Sequence, residues 1–344
     1  MKVDFGRDAA NARVPGLDAF RGCFVVLMFA AHVARFADRG PSTLLARFFE
    51  LVLWIEPAIS AGFLLVVGVS LELSWSRAGA VQAAGGWRRW YLRLLIRALT
   101  LYLVAVVLFV SQYGFELPDA LLSPDILSAI AAALVTVGLA LRAGSRGLLV
   151  HIALVFVVVG LLQASGGALS GLNAGPGGAL PLIAFTALGV GLARWSAHFD
   201  KLFLISLGVT ALASLLHGPP VARVESQYST GPVTFWNHSL KGALLLAAPL
   251  VGTAWLFFRS STAWRHAALG WVRYLGRHAL LAYLTHLVLL EGSRRSGVFP
   301  LSAASATAYL VLLVILVCAV LWLAQTPRPS AWLNRAGKLV GIRF

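Results

Sequence analysis

Cysteine, methionine and acidic side chains are all scarce in this sequence. The two cysteines, Cys23 and Cys318, both fall inside long apolar runs, so neither a disulfide framework nor a metal site is expected. Thirteen acidic residues stand against 28 basic ones, and charged residues of both signs make up only 12% of the 344 positions. That is about half the share of a soluble globular chain. No stretch reads as a soluble domain, a long linker or an internal repeat. The first seventeen residues are polar rather than signal-like, so the first span is expected to act as an uncleaved anchor. Met, Lys and Asn are rare while Ala, Arg and Gly abound, the composition of a GC-rich bacterial inner-membrane protein.

What is present is apolar length. Hydrophobic residues make up 59% of the chain, and mean hydropathy is +0.83. About 20 apolar residues cross a hydrocarbon core. Ten such spans are predicted, near 18–37, 57–75, 93–112, 124–142, 147–165, 178–196, 201–217, 236–258, 277–293 and 303–325. Residues 43–56 read as an additional interfacial or re-entrant helix. The fold class expected is all-α: one integral membrane bundle of about ten helices over residues 1–344, with a short basic tail at 326–344.

The net charge of +15 would by itself suggest nucleic acid, but its distribution gives another account. With an inside N-terminus, only Arg35, Arg39, Arg47, Arg223, Lys241, Arg294 and Arg295 fall outside. The other 21 of the 28 basic residues fall inside, as the positive-inside rule expects. Both termini are therefore placed in the cytoplasm, and no nucleic-acid partner is needed. The Gly-rich outer segment 164–178 has no lysine and follows no strand, so it is read as flexible rather than as a phosphate loop.

Polar residues inside the spans carry the chemistry. The first span opens Leu17-Asp18-Ala19-Phe20-Arg21-Gly22 and reaches His32 after a run of apolar residues. Arg21 lies three positions past Asp18, and His32 eleven past Arg21. At 3.6 residues per turn all three point nearly the same way. Ionisable groups aligned along a membrane helix are expensive to insert and mark functional sites. Plainer readings stand beside this one. Asp18 can serve as an N-cap, Arg21 can snorkel to headgroups, and His32 can be a satisfied core histidine.

In the ninth span, Tyr283 and His286 share a face, and His286 reaches a depth similar to that of His32. Two histidines at one depth point to a polar cavity; aromatic-belt packing and a structural hydrogen bond are the alternative. Arg88, Arg89, Arg93 and Arg97 open the third span, with Arg265, Arg273 and Arg277 in another inner loop. Such a group can grip phosphates bidentately or anchor lipid headgroups. Asp125, after Ser123-Pro124, reads as a site residue or as a helix-start acid.

Taken in order, several motifs resemble the transmembrane acyltransferase superfamily. They are Leu17-Asp18-Ala19-Phe20-Arg21-Gly22 with His32, Glu56-Pro57 through Phe63 to Val67-Gly68-Val69-Ser70, Arg93-Leu94-Leu95-Ile96-Arg97-Ala98-Leu99, Ile126-Leu127, and Gly276-Arg277 to Tyr283 to His286. That superfamily includes acyltransferase-three proteins and glucan succinyltransferases. The last features look most like heparan-alpha-glucosaminide N-acetyltransferase relatives. Two details depart from the families' patterns: Arg93 and Arg97 have three residues between them rather than two, and no histidine lies between Val33 and Pro57.

The resemblance implies transfer of an acyl group, often acetyl from cytoplasmic acetyl-CoA, to a hydroxyl or amine of a glycan or lipid-linked acceptor. It implies a catalytic role for His32 with Arg21 as partner. On that reading Asp18 and Arg21 position the donor, and Arg88, Arg89, Arg93, Arg97 and Arg277 hold the phosphate end of acyl-CoA. His286 and Tyr283 bind the acceptor or stabilise an oxyanion, and no metal is required. The rival classes are a transporter or flippase with a His/Arg pathway, and a non-catalytic assembly protein.

Overall fold

The structure is a computed structural model. It describes residues 14–37, 43–82, 86–115, 117, 119–122, 126–165, 180–217, 224–225, 232–233, 240–260, 263 and 269–325. The readings placed on Asp125, Arg265, most of segment 164–178 and the tail 326–344 lie outside these residues.

The described fold is all-α apart from a two-residue antiparallel pairing of β1 (Val224–Glu225) with β2 (Pro232–Val233). In order, the helices are α1 (Pro15–Ala34), α2 (Leu44–Trp54), α3 (Glu56–Gln82), α4 (Gly86–Tyr113), α5 (Asp119–Leu122), α6 (Ile126–Ala140) and α7 (Gly144–Ser165). They continue with α8 (Leu180–Arg194), α9 (Phe199–His217), α10 (Leu240–Arg259), α11 (Gly270–Arg277), α12 (Ala279–Arg295) and α13 (Ala303–Ala324).

Five helical stretches among the described residues are long and apolar enough to cross a membrane: Pro15–Ala34, Ala58–Arg77, Gly86–Tyr113, Ile126–Val158 and Ala303–Ala324. The chain is thus a multi-pass membrane protein. The fourth stretch doubles back on itself. A 3₁₀ turn at Leu141–Ala143 and Gly144 at φ 65° separate α6 from α7, and Thr136 Oγ1 meets His151 Nε2 at 2.9 Å across the turn. The reversal explains how 126–165 can supply two of the predicted spans.

The chain divides into two compact units: Ser60–Leu256 with Met1–Ala12, and Arg13–Ile59 with Phe257–Phe344. In the Ser60–Leu256 unit, α3 and α8 touch backbone to backbone. A Cβ on Gly68 would lie 1.9 Å from the Thr186 carbonyl oxygen, and one on Gly189 2.0 Å from that of Leu65. Beside this crossing, Arg194 Nε and Nη2 donate to the two oxygens of buried Glu72 at 3.0 and 2.8 Å. A bidentate pair of this kind repays the desolvation of its carboxylate and fixes the helix register. Farther along, Trp90 donates to Ser74 and Tyr91 to the Val135 carbonyl, tying α4 to α3 and α6.

In the other unit α1 is central, with α2, α11, α12 and α13 packed around it. Pro15 begins α1, where its missing N–H costs nothing. Val14 is the N-cap, and no side chain caps it. This corrects the capping role considered for Asp18: the helix starts a turn earlier, and the Asp18 carboxylate serves α11 instead. Fourteen of the 20 α1 residues are buried, Phe20 and Phe29 completely. At its far end Phe36 stacks on Phe299 at 4.3 Å, and Leu301 N–H donates to the Phe36 carbonyl.

Candidate active site

One end of the site is a glycine crossing. A Cβ on Gly22 would lie 1.9 Å from the Val272 carbonyl oxygen, and one on Gly276 would lie 1.8 Å from that of Asp18. Only glycine lets α1 and α11 approach this closely. Polar contacts lock the crossing from both sides. Arg277 Nε donates to Asp18 Oδ2 at 3.2 Å, and Arg21 Nη1 donates to the Gly276 carbonyl at 3.1 Å. Arg21 also lies 3.9 Å from the other oxygen of Asp18. The expected alignment of Asp18 with Arg21 is present, and it draws Arg277 into the same group.

Immediately after this crossing the α11 helix breaks. His278 adopts φ −113°, ψ 28°, and α12 starts at Ala279. The predicted ninth span at 277–293 is essentially α12, which the break separates from the short α11. Gln325 Nε2 lies 2.7 Å from His278 Nε2, so the side chain at the break is held by the end of α13.

Farther along, His32 Nδ1 and His286 Nε2 are 2.7 Å apart. The two ring planes differ by 11° and the centroids are 5.0 Å apart. That separation equals the nitrogen–nitrogen distance plus the two ring radii, so the imidazoles meet edge to edge, as a hydrogen bond requires. His286 has no exposed surface, whereas His32 retains some. Phe29 stacks on His286 at 4.6 Å, and Tyr283, 7% exposed, meets it edge-on at 5.3 Å. Nδ1 of His286 is buried and points toward the Ala282 and Tyr283 carbonyls one turn back, outside hydrogen-bonding geometry.

Residues 13–174 match the family described as heparan-alpha-glucosaminide N-acetyltransferase, catalytic. The resemblance read from the sequence holds over this span, and the acetyltransferase-type match covers α1 with Asp18, Arg21 and His32. Arg277, Tyr283 and His286 come from helices beyond the matched residues. No curated protein matches the chain.

Within one unit the fold therefore makes two clusters along α1: His32 with His286 and Tyr283, and Asp18 with Arg21 and Arg277. Arg88, Arg89, Arg93 and Arg97 belong to α4, in the Ser60–Leu256 unit, and all four are exposed. In that unit Arg142 lies over the Trp87 ring at 4.7 Å. Among the described residues no group of three or more His, Cys, Asp or Glu could hold a metal ion.

The residue that sequence reasoning passes over is Arg35. Charge counting places it only among seven outer cations, yet it lies one turn past His32 and is ion-paired with buried Glu56. The Glu56-Pro57 motif and the i, i+3 spacing from His32 to Arg35 are the available signals.

Proposed function

We propose that this protein is a multi-pass acyltransferase of a bacterial inner membrane. It moves an acetyl group from cytoplasmic acetyl-CoA to a hydroxyl or amine of a glycan or other cell-envelope acceptor. The observation that carries the reading is the 2.7 Å contact between His32 and His286, deep in a unit whose α1 lies in the acetyltransferase match. Ten spans with both termini inside remain the topology this reading uses.

His32 is the general base. With the shared proton on His32 Nδ1, His286 Nε2 accepts it, and the Nδ1–H of His286 faces the carbonyls of its own preceding turn. That tautomer leaves the lone pair of His32 Nε2 for an acceptor X–H. His286, fully buried, thus acts through His32, much as a buried acceptor orients a catalytic imidazole elsewhere. Tyr283 walls the pair and helps exclude water. In this scheme His32 takes the acceptor's proton as the acceptor attacks the thioester carbon, then returns it to the departing CoA thiolate.

The donor's charged end belongs at the inner crossing. Arg21 and Arg277 bring two guanidinium groups against one carboxylate, leaving net positive charge about eleven residues, or roughly 16 Å, from His32 along α1. The pantetheine arm is long enough to span that rise.

The test compares purified wild type with His32→Ala for consumption of labelled acetyl-CoA in the presence of a cell-envelope glycan. Loss of about 10²–10⁴-fold is expected, the usual contribution of a positioned base, with thermal unfolding in detergent unchanged. Equal turnover in the two proteins removes His32 from the mechanism.

A further inference from the structure

Resting on the acyl-transfer reading above, we propose that Arg35, held in place by Glu56, binds the carbonyl oxygen of the acyl donor and stabilises the oxyanion that forms there. Arg35 follows α1 as its C-cap in right-handed helical conformation (φ −67°, ψ −24°), so its side chain leaves the same face as His32, one turn farther on. The Arg35 Nη2 donates to Glu56 Oε1, and Glu56, in the first turn of α3, is only 6% exposed.

The Arg35 side chain is 28% exposed and that of its Glu56 partner 7%, so the carboxylate lies inside the fold while the guanidinium keeps an open side. A buried carboxylate is costly unless paired, and its pairing holds the Arg35 side chain where it leaves the helix, one turn past His32. A guanidinium carries five donors, more than one carboxylate oxygen can engage. The other cations at the far end of α12, Arg294 and Arg295, are 50% and 66% exposed and pair with Glu291 on their own helix. They have the character of surface charges.

The assignment completes the reaction. His286 has no exposed surface and its Nε2 is engaged with His32, so in this reading it acts on His32 rather than on the oxyanion. In the step, the acceptor oxygen or nitrogen bonds to the thioester carbonyl carbon and its proton passes to His32 Nε2. The carbonyl π electrons move to oxygen, where the negative charge meets the Arg35 guanidinium. The tetrahedral adduct then expels CoA thiolate, which takes the proton from His32. The products are the acylated acceptor and CoA thiol. Glu56 is a positioning residue, acting through Arg35.

Steady-state transfer from acetyl-CoA by detergent-purified full-length protein tests this. Arg35→Gln is expected to lower kcat by about 10²–10³-fold, the effect of removing one preorganised oxyanion donor, with KM for acetyl-CoA nearly unchanged. Arg35→Lys should keep part of that loss because it restores charge without the fork. In Arg35→Ala, added guanidinium ion below denaturing concentration should restore part of kcat, which a merely structural role would not allow. Glu56→Gln should fall between wild type and Arg35→Gln. If Arg35→Gln retains wild-type kcat while His32→Ala is inactive, this assignment is wrong and the acyl-transfer reading stands. A loss of kcat in Arg35→Ala that guanidinium cannot rescue, accompanied by a fall in melting temperature in all three Arg35 variants, also overturns it. If wild type consumes no acetyl-CoA with any acceptor, the parent reading fails first.

Discussion

Two helix crossings in this protein are built from the same parts and tuned differently. The α3–α8 crossing joins Gly68 and Gly189 to a bidentate Glu72–Arg194 pair, both side chains largely buried at 9% and 20% exposure. The α1–α11 crossing joins Gly22 and Gly276 to Asp18 and Arg277, which meet through one 3.2 Å contact with Arg277 38% exposed. The first pair uses both carboxylate oxygens on a single guanidinium. The second spreads two guanidinium groups over one carboxylate and leaves positive charge at the surface. A closed pair fixes register; an open one fixes register and keeps charge available for a ligand. The helices agree with this division beyond their crossings: leucines and valines line α3 around Gly68, whereas α1 leads from Gly22 to His32.

The sharpest way to break this contrast is to remove one carboxylate from each crossing. Glu72→Ala strands Arg194 in a buried setting and should cost about 3–5 kcal/mol of stability. Asp18→Ala leaves a partly hydrated Arg277, so its cost should be that of an exposed pair, about 1 kcal/mol or less. Its main effect should instead be a rise in KM for acetyl-CoA. Thermal unfolding in detergent reads the first difference and steady-state kinetics the second. Equal melting-temperature losses for the two variants would erase the distinction between a structural and a functional crossing.

A methyl group sharpens the contrast from the backbone side. Gly22→Ala and Gly276→Ala each place a carbon within 2 Å of a carbonyl oxygen, so α1 and α11 must separate. Because α12 continues directly from α11, the His32–His286 contact should lengthen with them. A misplacement near 1 Å costs a reacting geometry about 100-fold. Gly68→Ala meets an equally close oxygen but should lower stability without a change in kcat per folded molecule. Turnover normalised to the folded fraction makes the comparison, and parallel kcat losses in all three variants would count against it.

Legibility in the sequence tracks what periodicity encodes. Asp18, Arg21 and His32 lie on one helix, so their common face can be computed from spacing alone, and the structure pairs Asp18 with Arg21 near the start of α1 and His32 with His286 farther along. That His286 touches His32 is foreshadowed by matched depth, which hydropathy supplies. The break at His278 falls where the ninth span is predicted to begin, although no proline marks it and the helix that precedes it, α11, is too short and polar to register as a span. The ion pairs Glu72–Arg194 and Arg35–Glu56 are invisible because each joins separate helices, and one sequence carries no record of which faces meet. Charge counting gives these residues a side of the membrane but not a partner. Acids favour helix starts, which makes Asp18 look like a cap, and Pro15 moves that start one turn earlier.

The smallest expected effect lies in the α6–α7 hairpin, and it checks whether every buried histidine here is functional. His151 resembles His286 in burial and in bonding through one nitrogen, with Thr136 Oγ1 at 2.9 Å from its Nε2. Its partner, however, is a hydroxyl that already donates to the Ala132 carbonyl of its own helix. Thr136 therefore offers His151 a lone pair and holds the ring as a donor, which secures the turn but leaves no paired base. Thr136→Val keeps the shape and removes this bond, so it should cost about 1 kcal/mol, or somewhat more because His151 Nδ1 is already without a partner. Transfer from acetyl-CoA should stay within a factor of two of wild type. A large activity loss with an unchanged melting temperature would instead make the hairpin histidine part of the chemistry, and a lone buried imidazole would no longer be distinguishable from a coupled pair.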